Sequence, residues 1–492
     1  MTHVQFNNLA RLADNDDNVA IATQRIELDT SVNGPNGQFR IPHTILEGHR
    51  FVIKPINAGD SLFSWALPFG TAIRDLSPGE YVCNEKILTA LAQRNIDFDL
   101  PRQANFLDVM LEHQIDTTNF SPGRQVPRNS ETETFLGYRR PGRRGVGTRN
   151  FIVVLAVTVK SAAFARQIES KYASRNLGKN IDGVIAVTHT EGDGTLSPNN
   201  YSLVMRTLAG FMVHPNVGAV QVVDYGDGTF TADHLRQFAL DNNYPLDQTL
   251  HEFQTIESSN DRALLEASKT IDQWIPIIDK QVRSEEPVEN ISLALQCGGS
   301  DAFSGISGNP LAGSVAKEVI RRGGRANLAE TDELIGAESY VLSNVKDLST
   351  AELFLEKIRN FKQYAANHGA SAEGNPSGGN NFRGLYNIAL KSIGAARKKD
   401  PEVRLDAVID YGAPMTDSGY YFMDSPGNDL ESIAGQVASG CNMILFITGN
   451  GSITNFPFVP TLKFVTTTGR FEMLSNEMDV NAGRYNDGES ME

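Results

Sequence analysis

Long apolar runs that alternate with helical patterns most strongly constrain the fold of this chain. Residues 151–157, 183–187 and 217–223 are such runs, and helical patterns lie between them. The same alternation returns between residues 291 and 447. Continuous apolar strands are typical of parallel sheets that helices cover on both faces. The sequence therefore predicts an α/β fold with two α/β regions whose sheets are mainly parallel.

The N-terminal part of the chain follows a different pattern. In residues 1–93, short β-type segments are separated by turn signals such as Asn-Gly-Pro-Asn-Gly at 33–37, which predicts a small all-β domain. Residues 94–134 are polar and contain several prolines, so we expect a linker there. A central α/β domain at 135–285 and a C-terminal α/β domain at 286–492 complete the predicted organisation.

Composition and motifs exclude several classes of function. The three cysteines are far apart, which argues against a disulfide framework or a cysteine zinc cluster. A formal charge of −15 argues against a nucleic-acid partner. Without an apolar run of membrane-spanning length or a signal-peptide pattern at the start, we expect a cytoplasmic protein with no membrane partner. No glycine-rich phosphate-binding motif occurs in the required setting, so we expect no nucleotide cofactor.

Polar residues follow the apolar runs, where the ligand crevice of a parallel sheet lies. Lys160 follows the first run, and His189, Glu191 and Asp193 follow the second. These residue types suit proton transfer or a hard cation. The alternative is a turn in which the acids accept backbone hydrogen bonds, with Lys160 as a surface residue paired to one of them.

A glycine-rich turn follows the apolar run at 291–295. Cys297, Gly298, Gly299, Ser300 and Asp301 put a thiol, a hydroxyl, a carboxylate and close backbone N–H groups at a strand end. Because the next segment has a helical pattern, N–H groups at its start favour an anionic ligand. The alternative is a turn that simply holds one buried cysteine.

Sequence blocks spread over nearly the whole chain resemble the altronate/galactarate dehydratase family. They are residues 135–150, 297–301, 304–310, 330–333, 375–380, 391–395, 422–427 and 448–452. The N-terminal piece is similar to the small SAF-type β domain of these enzymes. The resemblance implies a hydro-lyase that removes water from an aldonate or aldarate, or a similar hydroxy-carboxylate, to give a 2-keto-3-deoxy acid. It also implies a divalent metal, usually iron(II).

The chain departs from the family pattern where metal and proton chemistry is expected. Residues 81–85 contain no histidine, and the strand ends at 159–161 and 189–194 lack the usual cysteines. If those positions bind a metal, carboxylates in place of imidazole and thiolate would shift its preference from Fe²⁺ toward Mg²⁺ or Mn²⁺. Candidate ligands are His49, Glu85, His189 and Asp193. Alternatively the metal is lost, and Lys160 supplies the positive charge or acts as the base.

The resemblance and the strand-end pattern together define the predicted site. Proton transfer is assigned to His189, Lys160, Glu191 and Asp193. Substrate binding is assigned to Cys297, Gly298, Gly299, Ser300, Asp301, Glu330, Thr448, Asn450, Ser452 and Arg149. Arg149, Lys391 and Lys463 are candidate carboxylate clamps or structural ion pairs. The expected partners are a small hydroxy-carboxylate and further copies of the chain; the alternative functions are a lyase for a non-sugar hydroxy acid and a catalytically silent binding protein.

Overall fold

The computed structural model describes residues 4–110, 112–192, 198–256, 260–371 and 375–491. Three small sheets form the N-terminal domain, with strand orders β1-β4-β5, β2-β3-β6 and β7-β8-β9. Their strands are β1 (Val4–Gln5), β2 (Ala10–Arg11), β3 (Val19–Ala22), β4 (Ser31–Gly34), β5 (Gly37–Arg40), β6 (Arg50–Val52), β7 (Ser61–Ser64), β8 (Leu67–Ala72) and β9 (Phe106–Asp108). The predicted small β domain is present, and it carries one helix, α1 (Glu85–Ala92), that the pattern did not predict.

Strand β9 lies inside the segment that the sequence predicts as a linker. It pairs antiparallel with β8, with Thr71 opposite Leu107. Helix α1 begins after Asn84, whose side chain accepts a hydrogen bond from the Ile87 N–H. The first part of the segment 94–134 therefore contributes a strand to the N-terminal domain.

The central region contains a four-stranded sheet with the order β13-β12-β14-β15, and every pair in it is parallel. Its elements are β12 (Phe151–Ala156), α2 (Ala162–Tyr172), β13 (Gly183–Val187), α3 (Tyr201–Val213), β14 (Val217–Asp224), α4 (Ala232–Asp241), β15 (Leu250–Thr255) and α5 (Asn260–Ile278). A separate antiparallel sheet flanks it, made of β10 (Thr134–Arg139), β11 (Val146–Gly147) and β16 (Ser284–Pro287). Both faces of β14 are buried, which explains its continuous apolar run.

The C-terminal region is built on a seven-stranded parallel sheet with the order β19-β20-β18-β17-β21-β22-β23. Its strands are β17 (Ser292–Cys297), β18 (Arg325–Leu328), β19 (Leu405–Ile409), β20 (Gly419–Met423), β21 (Met443–Thr448), β22 (Thr461–Val465) and β23 (Val480–Asn481). Its helices are α6 (Asn309–Arg321), α7 (Glu338–Leu342), α8 (Leu348–Asn367), α9 (Gly378–Phe382), α10 (Ile388–Ala396), α11 (Asp429–Ala438) and α12 (Thr468–Met473). The predicted α/β fold class with mainly parallel sheets is confirmed.

The N-terminal domain packs tightly on the segment between α9 and α10. The guanidinium of Arg50, which is fully buried, donates to the Gly384 carbonyl at 2.8 Å, and the Arg50 backbone N–H donates to the Tyr386 hydroxyl at 2.7 Å. A Cβ on Gly384 would lie 2.0 Å from the Gly48 carbonyl oxygen, so the two backbones touch only because this residue is glycine.

The central and C-terminal sheets join at the amino ends of their strands. Thr148 donates to the Asn442 carbonyl at 2.7 Å, and His214 donates to the Cys441 carbonyl at 3.0 Å. The two domains also pack through α3 and α11, where a Cβ on Gly210 would lie 2.4 Å from the Ala438 carbonyl oxygen, and Arg206 of α3 donates to the Tyr411 carbonyl just beyond the carboxyl end of β19. Within the described ranges, no helix is long and apolar enough to cross a membrane.

Candidate active site

Cys297 and Glu330 come together at the carboxyl ends of two neighbouring strands. Cys297 is the last residue of β17, and Glu330 lies two residues beyond the end of β18, which pairs with β17. Glu330 has a left-handed backbone, with φ 71° and ψ 72°. That conformation costs a non-glycine residue on the order of 1 kcal/mol and is common where function positions a side chain. The Glu330 N–H is held by the Ser425 hydroxyl at 3.0 Å.

A fully buried lysine lies between these two side chains. Lys398 Nζ is 3.0 Å from Cys297 Sγ and 2.8 Å from Glu330 Oε2. The other Glu330 oxygen accepts a hydrogen bond from the Gln296 amide. The exposed fraction of the Lys398 side chain is 1% and that of Glu330 is 0%, so the pair is shielded from water. The Lys398 ammonium, removed from water in this way, needs a close polar partner, and the Glu330 oxygen is that partner.

A second ion pair extends the cluster toward solvent. Lys391 Nζ lies 2.7 Å from Glu333 Oε1 and 2.7 Å from the Asn375 amide oxygen. The second Glu333 oxygen, Oε2, lies 3.2 Å from Cys297 Sγ. Exposure of the Lys391 side chain is 10% and that of Glu333 is 5%, against 0–1% for the Lys398 pair. The cluster is therefore least enclosed on the Lys391 side.

The two glutamates are in different electrostatic environments. Burial raises the pKa of Glu330 to about 8, against the opposing effect of Lys398. Burial also acts to raise the pKa of Glu333, but the charges of Lys391 and Lys398 outweigh it and the pKa is lowered. Burial raises the pKa of the Cys297 thiol well above its usual value. The group thus holds carboxyl groups of unlike acidity within contact distance of one thiol.

The glycine-rich turn at residues 297–301, called the glycine turn below, lies next to this cluster. A Cβ on Gly298 would lie 2.4 Å from an Asp429 carboxylate oxygen, and a Cβ on Gly299 would lie 2.6 Å from Asn450 Cβ. Gly299 also has φ +65°, which favours glycine. Ser452 Oγ lies near the same position. The turn must therefore be made of glycines for the polar side chains around it to approach the backbone.

Asp301 and Thr448 have roles in holding the backbone. Asp301 Oδ1 accepts from the Ser304 N–H at 2.8 Å, and its Oδ2 accepts from the Thr466 hydroxyl at 2.8 Å. The Thr448 hydroxyl accepts from the backbone N–H groups of residues 450, 451 and 452. The Ser300 carbonyl accepts from the Asn380 amide at 2.8 Å. These contacts fix the shape of the turn and of the Asn450 loop.

The thiol and the two carboxylates also suit a divalent cation. Cys297 Sγ and one carboxylate oxygen each of Glu330 and Glu333 lie within 4.8 Å of one another, and all three residues are buried. Three such donors match the ligands of transition metals in proteins. Lys398 Nζ contacts two of the same atoms, so an ion bound there would require Lys398 to move aside or lose its proton. The donor set fits a metal, and Lys398 competes with it.

The residues predicted for proton transfer lie on the central domain. The contacts described for them do not involve the Cys297, Glu330 and Lys398 cluster. His189 Nδ1 accepts from the Glu191 N–H at 3.2 Å, and burial lowers the pKa of the imidazole. Its Nε2 is buried and has no hydrogen-bond partner in the described part of the chain. Lys160 pairs with Asp227 at 2.9 Å, and both side chains are exposed. Asp193 lies outside the described residues.

The other predicted ligands and clamps have structural contacts. His49 is fully buried; its Nε2 donates to the Phe382 carbonyl at 2.9 Å, and its Nδ1 accepts from the Tyr81 hydroxyl at 2.6 Å, so neither nitrogen has a free lone pair. Glu85 is exposed in the first turn of α1. Arg149 lies at the amino end of β12, where it donates to the Thr148 carbonyl. Lys463 donates to the Asn455 amide oxygen at 2.7 Å.

The sequence reasoning missed Glu333, Lys398 and Asp429. Glu333 stands in the same Glu-Thr-Asp-Glu block as Glu330, three residues later. Lys398 follows Lys391 by seven residues, the spacing of two helical turns, although it lies two residues beyond the end of α10, whose residues other than Lys391 are buried. A lysine that recurs at helical spacing in an apolar segment is therefore the available signal for a buried cation.

Three family models match successive segments of the chain, and all three describe altronate/galactarate dehydratases. The model described as "Altronate/galactarate dehydratase SAF domain" matches residues 9–90. "D-galactarate dehydratase/Altronate hydrolase, second domain" matches residues 137–279, and "D-galactarate/Altronate dehydratase, C-terminal" matches residues 288–492. The altronate dehydratase of Escherichia coli K12 is 29% identical over 479 residues, 96% of this chain and 90% of that protein.

Two further relatives are similar over long stretches. The altronate dehydratase of Bacillus subtilis 168 is 28% identical over 470 residues, 95% of this chain and 88% of that protein. The (2R)-sulfolactate sulfo-lyase subunit beta of Chromohalobacter salexigens is 28% identical over 349 residues, 70% of this chain and 85% of that protein.

Fold and site thus define an α/β protein with an SAF domain and a buried acid-base cluster. The chain belongs to the altronate/galactarate dehydratase family.

Proposed function

We propose that this protein is a hydro-lyase that removes water from a sugar acid, or a similar hydroxy-carboxylate, to give a 2-keto-3-deoxy acid. The observation that carries the proposal is the buried cluster at the ends of β17 and β18. It unites two carboxyl groups, two ammonium groups and a thiol beside a glycine turn. The family relatives named as dehydratases support the same reaction. A cytoplasmic location and a homo-oligomeric state belong to this proposal.

The chemistry explains why both signs of charge are needed. The proton beside a carboxylate is only weakly acidic, so a base must remove it while positive charge stabilises the enediolate that forms. The leaving β-hydroxyl needs a proton. We assign the two proton transfers to the Glu330 and Glu333 pair, whose carboxyl groups both contact Cys297. Lys391, the more accessible ammonium, is placed to bind the substrate carboxylate.

A bound cation would be held by Cys297, Glu330 and Glu333. Such an ion would act as a Lewis acid toward the substrate carboxylate. Because a thiolate is a soft ligand, this donor set favours Fe²⁺ over Mg²⁺. The preference for Mg²⁺ or Mn²⁺ that the carboxylates of the His189 loop suggest stays a prediction for that loop. Without a bound ion, the ammonium of Lys398 supplies positive charge at the same place.

The test is the formation of 2-keto acid from a panel of aldonates, aldarates and other β-hydroxy acids, with and without Fe²⁺, Mn²⁺ or Mg²⁺. Glu330→Gln and Glu333→Gln should each lower kcat by about 100-fold or more, as expected for general acid-base groups. Glu338→Gln is the matched control, because Glu338 is also buried but accepts from the Gly336 N–H. It should keep activity.

His189→Ala and Lys160→Met test the other predicted half of the site. If either abolishes turnover while the Glu330 and Glu333 variants remain active, proton transfer belongs to the central domain and our assignment is wrong. If no substrate in the panel yields 2-keto acid, the hydro-lyase proposal fails. Ligand-induced thermal stabilisation without turnover would then favour the silent binding protein.

A lyase for a non-sugar hydroxy acid is the second candidate. It is favoured by the similarity to a relative named (2R)-sulfolactate sulfo-lyase subunit beta. The same cluster could remove a proton beside a carboxylate and expel a different β-substituent. Including 3-sulfolactate in the panel separates the two candidates, because sulfite release would replace 2-keto-3-deoxy acid formation.

A further inference from the structure

We propose that Arg383 binds a second carboxylate of the substrate, so that the preferred substrate is a dicarboxylic sugar acid. This inference rests on the proposed hydro-lyase function. It adds to that function the residue that selects an aldarate over the corresponding aldonate.

Arg383 lies on the rim of the glycine turn, directly after α9. Its NH2 group donates to the Asn450 amide oxygen at 2.6 Å, and its NH1 group donates to the Gly379 carbonyl at 3.0 Å. The Arg383 carbonyl accepts from the Ala302 N–H at 3.0 Å, which attaches this residue to the end of the turn. The guanidinium is therefore held by two acceptors, and the backbone of the same residue is held by the end of the turn.

No carboxylate pairs with this guanidinium among the residues that the structure describes. Asp301 is close enough to act on its charge, but both Asp301 oxygens are already committed to Ser304 and Thr466. Burial and the nearby charge of Arg470 lower the pKa of Arg383. In a chain with a formal charge of −15, a guanidinium that pairs with no acid among the described residues indicates a site for an anion.

Through their contacts, Lys391 lies near the start of the glycine turn and Arg383 near its end. Lys391 pairs with Glu333, which contacts Cys297 at the start of the turn. Arg383 pairs with Asn450, whose Cβ faces Gly299 two residues further on. A substrate carbon chain that runs beside the turn, from the Cys297 end to the Asn450 end, would have one end near each cation. An aldarate has a carboxylate at both ends, whereas an aldonate has only one.

Guanidinium is the side chain best suited to this task. Its planar donors match the two oxygens of a carboxylate, and it stays charged when partly buried. A purely structural Arg383, which only braces the Asn450 loop, would not distinguish between acids with one and two carboxylates. The two roles therefore predict different results with matched substrates.

The experiment compares the wild type, Arg383→Gln and Arg94→Gln on aldarates and on the aldonates that differ only in a terminal hydroxymethyl group. Arg94 is the matched control: it lies over the Phe382 ring at 4.3 Å and reaches the Gly378 carbonyl, so it borders the same segment from another side. Unchanged thermal midpoints would establish that the variants fold.

We expect the wild type to favour aldarates by about tenfold or more in kcat/KM. Arg383→Gln should lower kcat/KM for aldarates by about 10- to 100-fold, mainly through KM, as for the loss of one charge-assisted hydrogen bond. Aldonates should change by less than about threefold, and Arg94→Gln should change neither. Arg383→Lys should restore part of the aldarate activity.

Equal losses on both substrate classes, or a wild type that prefers aldonates, would overturn the inference. If the wild type dehydrates no sugar acid, the proposed function fails, and ligand-induced thermal stabilisation then decides about Arg383. Stabilisation of the wild type but not of Arg383→Gln by an aldarate would support the second carboxylate site. Equal stabilisation of both proteins, or of neither, would refute it.

Discussion

Two adjacent buried lysines should respond to the same substitution with opposite changes in stability. Lys398 and Lys399 are both fully buried. Lys398 has Glu330 at 2.8 Å, whereas Lys399 Nζ has no hydrogen-bond partner in the described part of the chain. Methionine resembles the lysine stem in length and carries no charge, so Lys398→Met and Lys399→Met differ mainly in what happens to the charge.

The magnitude for Lys399 follows from its pKa. Burial lowers that pKa from 10.5 to about 8. At roughly 1.4 kcal/mol for each tenfold change in proton affinity, an isolated buried ammonium costs about 3 kcal/mol of folding free energy at neutral pH. Lys399→Met should therefore stabilise the protein by about 2–3 kcal/mol at pH 7.

The sign of the pH dependence is defined by the same values. Between pH 8 and pH 10.5 the unfolded chain keeps the Lys399 proton while the folded protein releases it, so wild-type stability rises with pH in that window. The advantage of Lys399→Met should fall to about 1 kcal/mol at pH 10. Thermal and urea unfolding of both proteins at pH 7 and pH 10 measure this.

Lys398→Met should have the opposite effect, because it leaves the buried Glu330 carboxyl without its ammonium. Breaking a buried ion pair costs about 3–5 kcal/mol, and protonation of Glu330 limits the loss to the lower part of that range. Adding Glu330→Gln should recover part of the loss. If Lys399→Met destabilises the protein as Lys398→Met does, or if its advantage is the same at pH 7 and pH 10, the reasoning about isolated charge is refuted.

Two other predictions concern the metal donors and the domain contact. Protein isolated without chelator should contain a bound transition metal that Cys297→Ala removes, whereas Cys441→Ala, which removes a buried thiol elsewhere, retains it; equal metal contents by elemental analysis would contradict the donor set. Gly384→Ala should cost about 3 kcal/mol or more because its Cβ would overlap the Gly48 carbonyl, whereas Gly369→Ala, with a similar positive φ and open space, should cost about 1 kcal/mol. Similar thermal midpoints for these two variants would show that the close contact carries no stability.

Local pattern was sufficient for the fold class and for the position of the glycine-rich turn that begins at Cys297. Apolar runs such as 217–223 predicted parallel strands because a strand buried on both faces needs apolar residues at every position. The turn that begins at Cys297 was predicted for a similar reason, since its glycines are required by close approach and positive φ. Family membership and the SAF domain, which the sequence blocks indicated, are confirmed.

The pairing of charged groups was decided only by the tertiary structure. The sequence offers Glu191 and Asp193 as neighbouring partners for Lys160, whereas in the structure Lys160 pairs with Asp227. Lys398 meets Glu330 from 68 positions away, with helices α7 to α10 between them in the chain.

Local sequence specifies where strands, turns and polar strand ends occur, because those features depend on neighbouring residues. Which acid meets which cation depends on the packing of distant elements, such as β17, β18 and α10. Burial then alters the acidity of the groups that packing has brought together, as it does for Glu330. No local pattern carries that information, because desolvation exists only after the chain has folded.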